Sequence, residues 1–382
     1  MVALLNKFEY WAFADCPHHR FKKIGSIKRI RFTGCFLTVW FSLVGMATLA
    51  ANPFVGNWSL TLPDGGVGWL GIIETNDTLR ASVMWETGSI EPVSRVTLDG
   101  DILERLPCYL DDPPRTLNVK SNQLVLVREY QGSVQREGKF IPVKEIETIH
   151  AIRMGSHLQL VSERTRDGVK LSRVELTGEW IPPLPPEPNL TKVKFGSAII
   201  LFNGENLDGW KMVDPQQLNG WTVQAAVLAN IAEQKAGETW KVYGNLRTKQ
   251  EFEDFRLTCE TRVPRHGNSG IYLRGIYEVQ VADTFGKKCD TQSMGAIYGR
   301  IEPIISAEKR AGEWQTLVIT LVARHVTVVL NGITIIDNQP LQGCTGGALW
   351  GDEFRPGPIC LQGDHSAIEF RNLTLEPVVG ER

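Results

Sequence analysis

Short runs of alternating apolar and polar residues recur along the chain from residue 52 onwards. Turn residues such as Asp167-Gly168 separate the runs, and no segment of the first part has the 3.6-residue period of an amphipathic helix. Short strands at regular spacing are typical of a small antiparallel β-barrel or β-sandwich. The pattern predicts strands in the first part at residues 58–62, 79–85, 124–127, 148–152 and 158–161.

The second part of the chain has the same all-β pattern with longer connections between strands. Asn331-Gly332 lies between two β-branched runs, which is a strong signal for a tight β-hairpin. Nothing in this part is convincingly helical beyond a turn near residues 306–310. Antiparallel strands with connections of Greek-key length indicate a jelly-roll β-sandwich. Strands are predicted at residues 198–202, 257–263, 271–273, 277–281, 317–322, 326–330, 333–336 and 367–375.

A segment with five prolines divides these two parts. Residues 181–190 read IPPLPPEPNL, a composition that favours extended polyproline geometry and a stiff spacer. We therefore predict an accessory β-domain at 52–180, a Pro-rich linker at 181–194 and a jelly-roll domain at 195–382. A lipid- or glycan-binding pocket inside the first domain is the alternative to a purely accessory role.

The N-terminus has the order of a secretory leader. Several Lys and Arg residues precede an uncharged apolar run at 35–46, and small residues follow up to Ala50 and Ala51. This order predicts a signal peptide at 1–51, and an uncleaved membrane anchor is the alternative. We expect an exported protein, periplasmic or extracellular, whose mature form has no stable membrane span.

Composition narrows the classes of partner. The 382 residues carry a formal net charge of −2 and no clustered basic face, so a nucleic-acid partner is not expected. The 36 Gly and 11 Trp are typical of an all-β protein with aromatic surfaces of carbohydrate size, although core packing explains most Trp residues equally well. Five Cys follow the leader, which allows two disulfides, and Cys289–Cys344 is one conceivable pair.

The strongest candidate for a polar site is a strand that follows a Gly/Asn turn. In this strand Tyr277, Val279 and Val281 alternate with Glu278 and Gln280, so the two sets face opposite sides of the sheet. The apolar set is expected to face the sandwich core. Glu278 and Gln280 then lie on the outer face, either as ordinary solvated residues or, as we favour, in a concave ligand site.

Six further residues complete the predicted site. Asp364-His365 follow a glycine between two strands, and histidine is the side chain best suited to move protons near neutral pH. Arg274 would bind a sugar hydroxyl or a developing oxyanion, or pair with Glu278. Asn268 is a turn residue or a ligand contact. Tyr298 and Trp314 are the remaining candidates, and their rings either stack on sugar faces or belong to the core.

A series of ordered motifs runs through the second part of the chain: LFNGENLDGW (201–210), WTV (221–223), DFRL (254–257), GNSGIYLRG (267–275), YEVQV (277–281), GAIYG (295–299), GEWQ (312–315), LNG (330–332), QGDH (362–365) and IEFRNL (368–373). With these motifs the second part resembles the 3-keto-disaccharide hydrolase domain family, formerly a domain of unknown function. The resemblance covers roughly residues 195–378 and departs from the family at Gln315 and Ser366, where Asn and Gly are usual.

The resemblance implies a concanavalin-A-like jelly roll that cleaves glycosidic bonds in sugars oxidised at C3. A ketone at C3 acidifies the C2 proton, so a base could start an elimination that expels the C1 substituent, with water added afterwards. The base would be His365 or Glu278. An upstream sugar oxidoreductase would supply the 3-keto oligosaccharide or glycoside.

Two questions stay open at the level of sequence. No cofactor is certain, but a divalent cation held by Glu278, Gln280 and Asp364 could stabilise the enolate in place of Arg274. A non-catalytic carbohydrate-binding module is the rival function, because jelly rolls host both classes. An extracellular scaffold protein is a third interpretation.

Overall fold

The computed structural model describes residues 52–99 except 77 and 87, residues 123–136 and 139–234, residue 239, and residues 241–380. The predicted signal peptide and Cys108 lie outside the described residues. The described residues form antiparallel strands and no helix, which confirms the all-β prediction. Within them there is accordingly no apolar helix of membrane-spanning length.

Nine strands form the first sheet, in the order β4-β3-β2-β1-β9-β8-β7-β6-β5. The sheet is a meander in which the first and ninth strands pair, and its two ends approach each other at the third and fifth strands, so it is strongly curled. The strands are β1 (Gly56–Thr61), β2 (Val67–Thr75), β3 (Thr78–Trp85), β4 (Glu91–Pro92), β5 (Arg95–Asp99), β6 (Gln123–Arg136), β7 (Lys139–Met154), β8 (His157–Arg166) and β9 (Val169–Ile181).

Large apolar side chains fill the interior of this curled sheet. Phe54 and Trp58 are fully buried, and the Trp58 indole Nε1 donates a hydrogen bond to the Phe54 carbonyl at 3.0 Å. Alternate residues of neighbouring strands complete this core, among them Leu70 and Ile72 of β2. Aromatic and aliphatic side chains thus pack together inside the sheet, and the alternative of a ligand pocket in this part of the chain stays a prediction.

The second part forms a sandwich of an eight-stranded and a five-stranded sheet. The eight-stranded sheet contains β10 (Ile199–Ile200), β12 (Trp221–Gln224), β13 (Val227–Asn230), β15 (Phe255–Arg262), β18 (Trp314–Val322), β19 (His325–Leu330), β20 (Ile333–Pro340) and β22 (Ile368–Pro377). The five-stranded sheet contains, in spatial order, β11 (Trp210–Met212), β14 (Leu246–Thr248), β21 (Cys360–Leu361), β16 (Asn268–Leu273) and β17 (Tyr277–Ala282).

One apolar core lies between these two sheets. It joins Ile271 and Val279 of the five-stranded sheet to Leu257 and Val328 of the eight-stranded sheet, and all four are fully buried. The hairpin between β19 and β20 turns at Asn331 and Gly332, whose φ angles are 51° and 83°. Both angles are left-handed, as a two-residue hairpin turn requires, and the Asn-Gly prediction is confirmed.

The first sheet packs directly against the sandwich. Val67 and Trp69 of β2 point away from the interior of the first sheet and belong to the apolar cluster of the sandwich. The Pro-rich segment also contacts it, because Asn338 Nδ2 donates hydrogen bonds to Glu187 Oε1 at 2.8 Å and to the Pro188 carbonyl at 3.0 Å. The domain boundaries drawn from the sequence stay a prediction. The Pro-rich segment is held against the sandwich by the two hydrogen bonds from Asn338.

The suggested pairing of Cys289 with Cys344 in a disulfide is wrong. Both residues are free thiols, as are Cys259 and Cys360. Cys344 is buried and its carbonyl accepts hydrogen bonds from Arg300, whereas Cys289 is partly exposed in a loop. Spacing along the chain could not show that these two residues belong to different local environments.

Candidate active site

The polar residues of β16 and β17 lie on the face of the five-stranded sheet that points away from the core. Tyr272 pairs with Glu278 and Gly270 pairs with Gln280 in the antiparallel register. Because side chains alternate along a strand, all four residues share this face, which we call the site face. The predicted alternation of the strand is therefore confirmed.

Glu278 is buried on this face and not solvated. Only 4% of its surface is exposed, and among the described residues no Lys or Arg side chain forms an ion pair with it. A Cβ at position 270 would overlap the Glu278 carboxyl group, so the carboxyl lies over Gly270. Burial raises the pKa of Glu278 to about 8, partly offset by the Tyr272 hydroxyl and by His365. The carboxyl group therefore keeps its proton at neutral pH.

The Tyr272 hydroxyl connects Glu278 to a neighbouring loop. Its oxygen lies 3.1 Å from Glu278 Oε2 and 3.1 Å from the Gly346 carbonyl oxygen. A hydroxyl has one proton to donate, so it can satisfy both neighbours only if Glu278 donates its own proton to Tyr272. The geometry thus agrees with a neutral carboxyl group.

Asp364 and His365 lie beside Glu278. His365 Nδ1 is 2.6 Å from Asp364 Oδ1, and 39% of the His365 side chain is exposed. The hydrogen bond to Asp364 raises the pKa of His365, and the partial burial of the ring opposes this rise. The structure therefore brings together a buried acid and a more exposed histidine that is oriented by a carboxylate.

Two glutamine side chains flank Gly270 on neighbouring strands. Gln280 lies on one side. On the other side, the backbone N–H of Gln362 donates a hydrogen bond to the Gly270 carbonyl. The Oε1 atoms of both glutamines are buried and have no hydrogen-bond partner among the described residues. Burying an acceptor without a hydrogen-bond partner costs free energy. These two oxygens therefore favour a ligand whose hydroxyl groups donate hydrogen bonds to them.

Gln280 and Asn268 also line a polar cavity of about 280 Å³, whose other lining residues include Asp283, Lys287 and Lys288 but not Glu278. The Gln280 side-chain amide donates a hydrogen bond to Asn268 Oδ1 at 3.2 Å, so the two predicted residues are in direct contact. Asn268 is held in place because its backbone N–H donates to the Ser366 hydroxyl at 2.9 Å. Its volume is close to the lower end of the range of about 300–1,000 Å³ that small-molecule sites occupy.

Arg274 is not brought to this group. Its guanidinium donates hydrogen bonds to backbone carbonyls, at 2.6 Å to Glu353 and 3.1 Å from Nε to Arg355. These bonds hold the loop around residues 353–355 and take up the donors that an enolate would need. Neither Glu278 nor His365 is among the hydrogen-bond partners of Arg274.

Trp314 also lies elsewhere. It is on the eight-stranded sheet, where its ring is stacked between Arg262 at 4.8 Å and Arg371 at 4.0 Å. Tyr298 is closer to the site, because its backbone N–H donates to the Glu278 carbonyl at 3.0 Å, and its side chain is half-buried. The backbone contact of Tyr298 supports the position of Glu278.

Two contributors were not predicted from the sequence. Tyr272 sits within the YLRG motif and was interpreted as part of a strand, although its even spacing from Gln280 and Glu278 could have placed it on the same face. Thr345 accepts a hydrogen bond at Oγ1 from the Glu278 backbone N–H at 2.9 Å. No local pattern in the sequence connects a threonine 67 positions away to Glu278.

The described side chains do not form a ready cation site. No group of three or more His, Cys, Asp or Glu side chains among them is placed to hold a metal ion. Of the three predicted ligands, the Glu278 carboxyl group keeps its proton at pH 7, Asp364 already pairs with His365, and Gln280 offers only a neutral amide oxygen. Hard divalent cations prefer ionised carboxylates, so this set does not fit one as it stands. The cation stays a prediction, and no step below uses it.

Comparison with known proteins confirms the family resemblance. Residues 197–376 match the model of the family described as the 3-keto-alpha-glucoside-1,2-lyase-like domain. No curated protein matches the chain.

Three solved structures illustrate the similarity. A protein from Parabacteroides distasonis described as a glycosyl hydrolase is 30% identical, with a TM-score of 0.40, and the alignment covers 52% of this chain and 94% of that one. A second protein so described from the same organism is 24% identical, with a TM-score of 0.37, covering 47% and 98%. A carbohydrate-binding module from Bacillus subtilis is 12% identical, with a TM-score of 0.29, covering 44% and 95%.

Proposed function

Because residues 197–376 belong to the family of 3-keto-alpha-glucoside-1,2-lyase-like domains, we propose that the protein cleaves glycosidic bonds in sugars oxidised at C3. The domain match supports a carbohydrate-directed function in general, either cleavage or binding. The observation that favours cleavage is the buried, neutral Glu278 beside the Asp364–His365 pair. A pure binding surface has no need for two titrating groups of this kind.

In the proposed reaction, His365 is the base and Glu278 is the acid. Neutral His365, oriented by Asp364, takes the proton from C2, which the C3 ketone has acidified. The electron pair forms the enolate, and its return expels the C1 oxygen and creates a C1=C2 double bond. Glu278 donates its proton to the departing oxygen, so that an alcohol leaves. Water added across the double bond, with oxygen on C1 and hydrogen on C2, gives the free 3-keto sugar.

The ligand is held by polar groups on either side of the carboxyl group. Gln280 and Gln362 offer unsatisfied amide oxygens to sugar hydroxyls. The adjoining cavity at Asn268 provides space for the second ring or the aglycone. A substrate of disaccharide or glycoside size is consistent with one ring bound at the glutamines and a second group in the cavity.

The test is an assay of the protein with 3-keto-trehalose and with a 3-keto-glucoside, with and without a chelator. Free sugar and the ultraviolet absorbance of the conjugated enone would be followed together. We expect release of sugar at neutral pH, and a rate that falls as the pH rises through about 8, because Glu278 then loses the proton that it must donate. A rate that instead rises through pH 8 would assign Glu278 as the base.

A carbohydrate-binding module is the second candidate function. It is favoured by the buried, unpartnered amide oxygens of Gln280 and Gln362, which would accept hydrogen bonds from sugar hydroxyls without any chemical step. If the protein binds the unoxidised disaccharide and cleaves neither 3-keto substrate, the binding function replaces the enzyme.

Export and substrate supply are further parts of the proposal. The leader pattern at 1–51 supports a periplasmic or extracellular location, which N-terminal sequencing of the mature protein would test. The ketone at C3 must be introduced by an oxidation, so a sugar oxidoreductase would act before this protein. Incubating the unoxidised sugar with such an oxidoreductase should convert the sugar into a substrate of this protein.

A further inference from the structure

One loop joins the first sheet to the buried glutamate. Residues 342–349, which we call the bridging segment, contact strand β2 and the β3 end on one side and Glu278 and Tyr272 on the other. The segment has no regular secondary structure of its own, so its position depends on these contacts.

Trp69 anchors the first-sheet end of the bridging segment. Its indole ring lies 4.6 Å from the Arg300 guanidinium; Trp69 is buried and Arg300 is half-buried. Arg300 donates from Nε to the Cys344 carbonyl at 2.7 Å and from Nη1 to the Gln342 carbonyl at 2.5 Å. The aromatic face thus holds a guanidinium that in turn holds two carbonyls of the segment.

Close backbone approach strengthens this end. Gly343 has a φ of 89°, and a Cβ at this position would overlap both the Trp69 indole and Arg300. The Gly347 backbone N–H donates to the Glu86 carbonyl at 2.9 Å, so the chain just after β3 holds the segment at a second point. Only glycine allows Gly343 to adopt this angle and lie against Trp69.

The other end of the segment holds the proposed acid. Thr345 Oγ1 accepts the Glu278 backbone N–H at 2.9 Å, and the Thr345 backbone N–H donates to the Ile276 carbonyl at 3.0 Å. The Gly346 carbonyl lies 3.1 Å from the Tyr272 hydroxyl that contacts Glu278. Gly347 has a φ of 76°, and a Cβ there would lie 2.6 Å from that hydroxyl. The contacts therefore run from Trp69 to Glu278 without a gap.

We infer that the first sheet is part of the catalytic unit, and that Trp69 is a positioning residue that fixes Glu278 and Tyr272 through the bridging segment. The catalytic part of this inference rests on the proposed function. The positional part does not, because it concerns contacts within the protein alone.

The pattern of β2 makes this inference testable. Leu70 and Ile72 point into the interior of the first sheet, whereas Trp69 points toward the sandwich. Ile73 belongs to the same strand and to the same alternate set as Trp69, but it is 59% exposed and is not in the sandwich cluster. Trp69→Ala should therefore leave the interior of the first sheet intact, and Ile73→Ala is a matched control.

The first measurement is backbone amide hydrogen exchange, followed residue by residue by NMR without any substrate. In Trp69→Ala, we expect the amides of Thr345, Gly347 and Glu278 to exchange roughly 10-fold faster, because local opening becomes easier when the anchor is lost. Ile73→Ala and Trp69→Phe, which keeps an aromatic face over Arg300, should leave these rates close to wild type. Unchanged exchange at all three amides in folded Trp69→Ala would overturn the inference.

The second measurement is steady-state kinetics on the 3-keto substrate. Trp69→Ala should lower kcat about 10- to 100-fold while KM changes less than about 3-fold, since misplacing a reacting group affects the chemical step more than binding. If Trp69→Ala does not fold, Thr345→Val tests the other end of the same path, and Thr345→Ser should restore the rate because it keeps the hydroxyl. A Thr345→Val enzyme with wild-type kcat contradicts the inference. If wild type has no activity, the proposed function fails, and amide exchange still decides the positional part.

Discussion

Two sheet faces of the sandwich carry similar residues in opposite environments. The site face of the five-stranded sheet presents Glu278 and Gln280, both almost fully buried. The outer face of the eight-stranded sheet also presents glutamates at alternate positions, and each of them pairs with an arginine. These pairs are Arg256–Glu376 at 2.7 Å, Arg371–Glu260 at 2.6 Å and Arg262–Glu369.

The difference between the faces lies in what covers them. On the outer face, the hydrogen bond from Arg256 lowers the pKa of Glu376, and the ion pairs stay partly solvated. On the site face, the bridging segment and Tyr272 exclude water from Glu278 without providing a cation, so burial raises its pKa to about 8. The same residue type therefore forms a partly solvated ion pair on one face and a buried carboxyl group with a raised pKa on the other.

The largest expected difference between the faces is in turnover. His365→Ala and Glu278→Gln should each lower kcat by roughly 10²-fold or more on a 3-keto-glycoside, the usual scale for losing a proton-transfer group. Glu369→Gln on the outer face is the control and should change kcat less than about 2-fold, because Glu369 forms a partly solvated ion pair with Arg262 on the eight-stranded sheet. Wild-type turnover in both site variants would show that the assigned site is wrong.

A smaller difference should appear in the pH dependence of stability. The pKa of Glu278 is raised to about 8 in the folded protein, compared with about 4.3 for an unfolded chain. Between these values the folded state binds a proton that the unfolded state releases, so the stabilising contribution is full below about pH 4.3 and is lost as the pH rises to about 8. The loss is on the order of 1.4 kcal/mol for each pH unit.

The measurement is urea unfolding of wild type and Glu278→Gln from pH 5 to pH 9. The difference in the free energy of unfolding, wild type minus variant, should decrease with rising pH and level off above about pH 8. A difference that is independent of pH would mean that Glu278 is ionised throughout this range.

The smallest effect is expected on the outer face. Glu376→Gln removes one ion pair whose Arg256 side chain is 37% exposed, so the free energy of unfolding should fall by at most about 1 kcal/mol, and by less at high salt. Turnover should not change. A loss above about 2 kcal/mol would place this pair among the buried ion pairs and weaken the contrast between the two faces.

Much of the fold could be predicted from local pattern. The strands at β6, β7, β15 and β19 follow runs of alternating residues, and the Asn331-Gly332 turn follows from backbone sterics alone. The predicted strands were often too short, because pairing with a neighbour extends β7 to Met154 and β22 to Pro377 beyond their apolar runs. Hydrogen bonds across a sheet do not depend on the side-chain pattern of one strand.

The candidate site could be predicted only in part. Glu278, Gln280, Asn268, Asp364 and His365 share a motif or a strand, and the structure places them together. Arg274 and Trp314 have equally suitable chemistry, but backbone carbonyls occupy the first and two arginines enclose the second. Residue type does not reveal such partners, because they come from distant parts of the chain.

The amino-acid sequence by itself determined the all-β class, the family of residues 197–376 and the face on which Glu278 lies, since these depend on neighbouring residues and on ordered motifs. Only the tertiary structure decided that this face is covered. The bridging segment reaches Glu278 from 67 positions away and is itself held by Trp69 of the first sheet. Desolvation depends on every atom that excludes water, so the proton on Glu278 is a property of the packed molecule.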